Sequence, residues 1–92
     1  MKAIEIARRM VELGNSEKAC AAYSLAIHEN NGTDPAQDME AAVYILQGGG
    51  NYKVSYTCFL NLYNRGCFAE DCLAIMTEAF YMPNVKELQT RY

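Results

Sequence analysis

The chain has 92 residues, 51% of them hydrophobic and 21% charged, with a formal net charge of −3 and a pI near 5.0. That length suits one domain with a small core, and the balance of apolar to charged residues is that of a folded globule. The acidic balance, with Lys and Arg scattered, argues against a nucleic-acid partner, which needs a basic face, and no apolar run approaches the roughly 18 residues that span a bilayer. Glu5, Arg8 and Arg9 stand where a secretory leader would be apolar, so the expected compartment is the cytoplasm, with no membrane partner.

Lys2 to Leu13 reads as a helix, with Ala3, Ile6, Ala7, Met10 and Leu13 on one face and Lys2, Glu5, Arg8, Arg9 and Glu12 on the other. Glu5 and Arg9 form a favourable (i, i+4) pair. Gly14 stops this helix, Asn15 or Ser16 caps the next, and that second helix runs to about Glu29. The turn formers NNGTDP follow, and Asp34, Pro35 and Gln37 open a third helix. It carries Met39, Ala42, Val43 and Leu46 inward and Asp38, Glu40 and Gln47 outward, with Tyr44 between the two faces, and it stops at Gly48, Gly49 and Gly50.

Tyr52 to Arg65 is rich in aromatic and β-branched residues, which strands favour. The recurrence of Tyr52, Tyr56, Phe59, Leu60 and Tyr63 every three or four residues decides for a helix. Gly66 ends it, and Phe68 to Tyr81 forms a fifth helix with Glu70 and Asp71 in its first turn. Pro83 breaks that helix, and the residues after Asn84 look like the opening turns of a short or truncated sixth. The expected fold is therefore all-α: five helices and the start of another.

The stretch GNSEKACAAYSLAI, Gly14 to Ile27, recurs in looser form. Counting from Gly14, Ala19, Ala22, Tyr23, Ala26 and Ile27 make one stripe; the same offsets from Gly50 give Ser55, Cys58, Phe59, Leu62 and Tyr63. From Gly66 they give Asp71, Ala74, Ile75, Glu78 and Ala79, so the third copy reads as degenerate. Helix, glycine turn, helix and polar loop is the pattern of an α-hairpin repeat, and a period of about 34 residues defines the tetratricopeptide class. Residues 2–29 resemble one such repeat through Ile6, Ala7, Met10, Gly14, Ala19, Tyr23 and Ala26. Residues 36–65 resemble a second through Ala42, Val43, Leu46, Gly50, Tyr52 and Phe59, and Pro83 falls where a repeat counted from Gly66 would close. Gly14 and Gly50 stand 36 residues apart but Gly50 and Gly66 only 16, which makes three hairpins, about 2–29, 36–65 and 67–92, the last truncated.

This tetratricopeptide-like resemblance implies a right-handed solenoid that binds peptides on the concave face made by the first helix of each hairpin. There Lys2, Glu5, Arg9, Asp38 and Gln47 would project. The closing residues EAFYMPNVKELQTRY are also similar to helical-repeat segments beside the catalytic domain of some bacterial glycosyltransferase-like proteins. That second resemblance implies an accessory N-terminal domain that positions an enzyme or its acceptor substrate.

Individual residues give little chemistry. His28 lacks a partner base or nucleophile at a recognisable spacing and suits the C-terminal end of a helix. The triple glycine leaves a helix and precedes NYK, unlike a phosphate cradle, which joins strand to helix. Asp38/Glu40 and Glu70/Asp71 stand in first helical turns, where the helix dipole favours acids. Cys20, Cys58, Cys67 and Cys72 form no CxxC pair and read as free buried thiols without a zinc site. The aromatic stripe of the fourth helix reads as packing between hairpins or as a docking surface, since tyrosine buries area while keeping a polar tip. The expectation is a non-catalytic module without a cofactor, whose candidate partner-binding residues are Arg9, Tyr44, Tyr52, Tyr56 and Tyr63. The partner would be a protein or peptide, a neighbouring domain, or a second copy of the chain.

Overall fold

The computed structural model describes residues 1–80, which form five helices and no strand: α1 (Ala3–Glu12), α2 (Ser16–Asn30), α3 (Pro35–Gln47), α4 (Tyr52–Asn64) and α5 (Ala69–Phe80). The expected sixth helix and the segment that carries the second resemblance fall wholly or largely outside the described residues. Each helix packs on the one before it, and α2 also touches α4. No helix among the described residues is long and apolar enough to cross a membrane.

Side-chain caps start α2, α3 and α4. The Asn15 carboxamide accepts from the Lys18 N–H at 3.1 Å, Asp34 accepts from the Ala36 and Gln37 N–H groups, and Asn51 accepts from those of Lys53 and Val54. At α1 the acceptor comes from elsewhere: Glu29, at the far end of α2, takes the Ala3 N–H at 3.1 Å and so pins the open end of the first hairpin. Glu5 accepts from the Lys2 N–H, and Arg9 pairs with Glu12 at 3.0 Å rather than with Glu5 as its spacing suggests.

Three of the four connections are the same turn. Asn15, Gly50 and Cys67 each donate an N–H to the carbonyl five residues back, on Met10, Ile45 and Leu62, and the residue before each donor is a glycine with positive φ. The equivalent glycines are thus Gly14, Gly49 and Gly66, not Gly14, Gly50 and Gly66. Helix α2 begins two residues after its glycine, whereas α4 and α5 begin three after theirs. The third copy is therefore read one residue out of register when counted from Gly66. Counted from Cys67, the counterpart of Gly50, its stripe is Cys72, Ile75, Met76, Ala79 and Phe80, of which Cys72 and Met76 are fully buried. That stripe is as apolar as those of the first two copies.

The core has two parts on either side of α3. Ala41 and Ile45 face α2 and join Tyr23 and Ala26 in one cluster that continues into Ala3, Ile4 and Ala7 of α1. Ala42 faces α4 and α5, closing over Cys58, Phe59, Leu62, Cys72 and Met76. Alanines at the helix crossings let the axes approach, and the volume is supplied by Phe59, Ile45, Leu62 and Met76. Two expectations fail here. In α1 the buried face is Ala3, Ile4 and Ala7, while Ile6 and Leu13 stay exposed because α2 covers one side only. Asp38, expected outward, is 5% exposed, because Asn30 reaches its carboxylate at 2.8 Å while holding the Asp34 carbonyl.

Candidate functional site

Helix α3 has a face that the two cores leave uncovered. Along it lies an open groove of about 490 Å³, floored by Met39, Val43 and Tyr44 and walled by Tyr23, Glu40 and Phe68. Arg8 marks the α1 side and Phe68 the α5 side. Helices α1 and α3 do not pack directly; the Arg8 guanidinium spans them, its Nε and Nη2 donating to the two Glu40 oxygens at 3.0 and 2.8 Å. The Tyr23 hydroxyl donates to the same carboxylate at 2.7 Å, and the Tyr23 ring lies 5.1 Å from that of Tyr44 at an interplanar angle of 38°.

The electrostatics of this trio follow from its hydrogen bonds. The Arg8 donor pair, with the Tyr23 hydroxyl adding to it, holds the Glu40 carboxyl below its ordinary range. Burial and the adjacent carboxylate push the Tyr23 phenol well up. Both groups are thus moved away from neutral titration, so Glu40 is a fixed acceptor and Tyr23 a fixed donor. Phe68, 46% exposed, adopts φ 51, a left-handed conformation that costs an aromatic residue roughly 1 kcal/mol or more. Its carbonyl accepts the Cys72 N–H at 2.9 Å, which ties the Phe68 backbone to the first turn of α5.

The structure disperses the residues expected to bind. Tyr44 lines the groove. Tyr56 instead packs on Phe80, ring centroids 5.4 Å apart, and Tyr63 packs on the second core. Tyr52 is exposed at the start of α4, and Arg9 is held by Glu12 on the outside of α1. Of the charged and polar residues expected on the concave face, Gln47 lines the groove, whereas Asp38 is buried on the opposite side of α3. Arg8, Tyr23, Glu40 and Phe68 carry the site, and spacing points to none of the first three as binding residues. Arg8 and Glu40 are 32 residues apart, a pairing that no helical period announces, and Tyr23 reads as plain core. Phe68 is the exception: an aromatic two residues after a turn glycine is a visible signal of helix entry. No known protein family, no curated protein and no solved structure matches this chain.

Proposed function

We propose that this chain is a non-catalytic protein-interaction module with tetratricopeptide-like hairpins, and that it binds an amphipathic helix or peptide of its partner along α3. The observation that carries the reading is the groove itself: an apolar floor of Met39, Val43 and Tyr44 beside a strained, exposed Phe68 and a carboxylate locked by two donors. From Ala36 to Gln47 it runs about 16 Å, or three turns of a partner helix, whose apolar positions at i, i+3 and i+7 would meet the floor. The turn repeated at Gly14, Gly49 and Gly66 supports the hairpin-repeat reading. The shifts at Glu40 and Tyr23 support a binding role over acid–base catalysis, which works best with groups that titrate near neutrality.

The test is selection from a displayed library of amphipathic helical peptides, repeated with Val43→Glu and with Arg9→Ala. Peptides selected by the native chain should lose binding to Val43→Glu, whose circular dichroism stays native, and keep it with Arg9→Ala. Equal binding to all three proteins would sink the assignment of the groove.

A further inference from the structure

We infer that the opposite side of the molecule, the furrow between α2 and α4, is a second binding site, and that it takes an extended peptide with acidic residues near both ends. Two adjoining cavities of about 510 and 390 Å³ form this furrow, and both are lined by Ile27, His28, Cys58 and Asn61. It runs along α4 from Lys53 to Arg65, about 18 Å, the length of five or six residues of extended chain.

The furrow differs in chemistry from the groove on α3. Its floor is Ile27 and Cys58, with the Asp38 carboxylate at one end, held on one oxygen by Asn30. Its walls are exposed carboxamides, Asn31, Asn61 and Asn64, each offering both an N–H donor and a carbonyl acceptor. A peptide main chain presents the same two groups at every residue, so an extended backbone is the ligand such walls match. A folded helix has no main-chain groups to spare for them.

Charge selects the sequence. In a chain of net charge −3, the exposed ionised side chains lining the furrow are two cations, Lys53 at one end and Arg65 at the other. The Arg65 guanidinium is already in place at the end of the furrow: its Nη2 donates to the Gly32 carbonyl at 2.9 Å. A donor fixed before binding loses little freedom on meeting a carboxylate. Two cations carried about 18 Å apart along the axis of α4 suit two acidic side chains on a short peptide better than a phosphodiester backbone, whose charges fall every few ångströms.

The experiment is an array of capped hexapeptides with Glu at both ends or Gln at both ends and varied interiors, probed with the labelled chain, with a dT6 oligonucleotide as a further arm. Glu-ended peptides should bind about tenfold better than their Gln-ended counterparts, and Lys53→Gln with Arg65→Gln should remove that preference. Asn61→Leu, which removes a wall carboxamide at nearly constant shape and charge, should weaken binding of both sets, and Val43→Glu should leave it intact. Equal or absent binding of the two sets, retention of the preference in Lys53→Gln with Arg65→Gln, or equal binding of dT6 would each overturn the proposal.

Discussion

Replacing Gly50 by alanine should destabilise this fold for a reason unrelated to backbone freedom. A methyl group there would lie 2.9 Å from the Cys20 Cβ and 3.0 Å from the Ile45 Cγ2, inside the 3.5–4.0 Å at which carbons rest. Both neighbours are buried, Ile45 completely, so α3 and α4 would have to move away from α2. Overpacking of this kind costs about 1–3 kcal/mol, and the stiffer unfolded chain offsets about 0.4–1, so the midpoints leave a net loss of about 1.3 kcal/mol. At about 4–8 °C per kcal/mol for a domain of this size, the melting midpoint should fall by roughly 5–10 °C. Gly49 is the control: it has φ 74 and open space where its Cβ would stand. Asparagine, which accepts left-handed backbone, should be tolerated at 49 and harmful at 50. Urea denaturation of the alanine and asparagine variants decides the matter. Gly50→Ala within about 0.5 kcal/mol of the parent, the range of an ordinary surface change, would refute the steric argument, as would equal damage from asparagine at both sites.

Three further outcomes follow from the packing and the titrations. Phe59→Ala should cost about 3–5 kcal/mol, since the ring is fully buried between α3, α4 and α5; a loss below about 2 kcal/mol in chemical denaturation would mean the second core is loose. Glu40 has its carboxyl lowered in the folded state, so its contribution is present above the ordinary carboxylate value near ~4.3 and fades as pH falls through the folded value. Glu40→Gln should therefore lose about 1 kcal/mol at pH 7, a figure that allows for the half-exposed Arg8, and the gap to the parent should narrow between about pH 5 and 3. Burial pushes the Cys58 thiol up to about 12, whereas Cys67 is half-buried in a turn, so iodoacetamide at pH 8 should mark Cys67 well before Cys58 in peptide mass mapping; simultaneous labelling would contradict the burial.

Helix existence and type were legible because they depend on local signals. Asp34–Pro35, Gly14 and the three- and four-residue recurrences each act within one turn of the chain, and all five helices stand within a residue or two of where those signals set them. The direction each helix faces was less legible, because a neighbour decides it. In α1 the stripe Ile6, Met10, Leu13 is as periodic as Ala3, Ile4, Ala7, and only the position of α2 selects the second. Helix α3 lies between two cores, so most of its circumference is covered, and the division into inward and outward residues that suits a surface helix misplaces Asp38. The groove trio was illegible for a related reason: Arg8, Tyr23 and Glu40 come from three helices and meet only once those helices are stacked.

The triple glycine shows how a repeat can be visible and still be misread. Any of its three members can be taken as the turn residue from sequence, and Gly50 gave matching apolar offsets because α4 begins one residue later relative to its turn than α2 does. Two one-residue differences cancelled in the second copy and did not cancel in the third, where α5 shares the later start but the count was taken from the turn glycine itself. Side chains on a helix rotate about 100° per residue, so a slip of one carries the count off the buried stripe and onto Asp71 and Glu78. The apparent fading of the repeat was thus a property of the origin chosen, and the buried Cys72 and Met76 restore the pattern. Within the triplet the roles divide: Gly49 supplies the left-handed turn, while Gly48 and Gly50 have no room for a Cβ beside Cys20. Close approach, which no local pattern encodes, is what requires glycine on both sides of the turn.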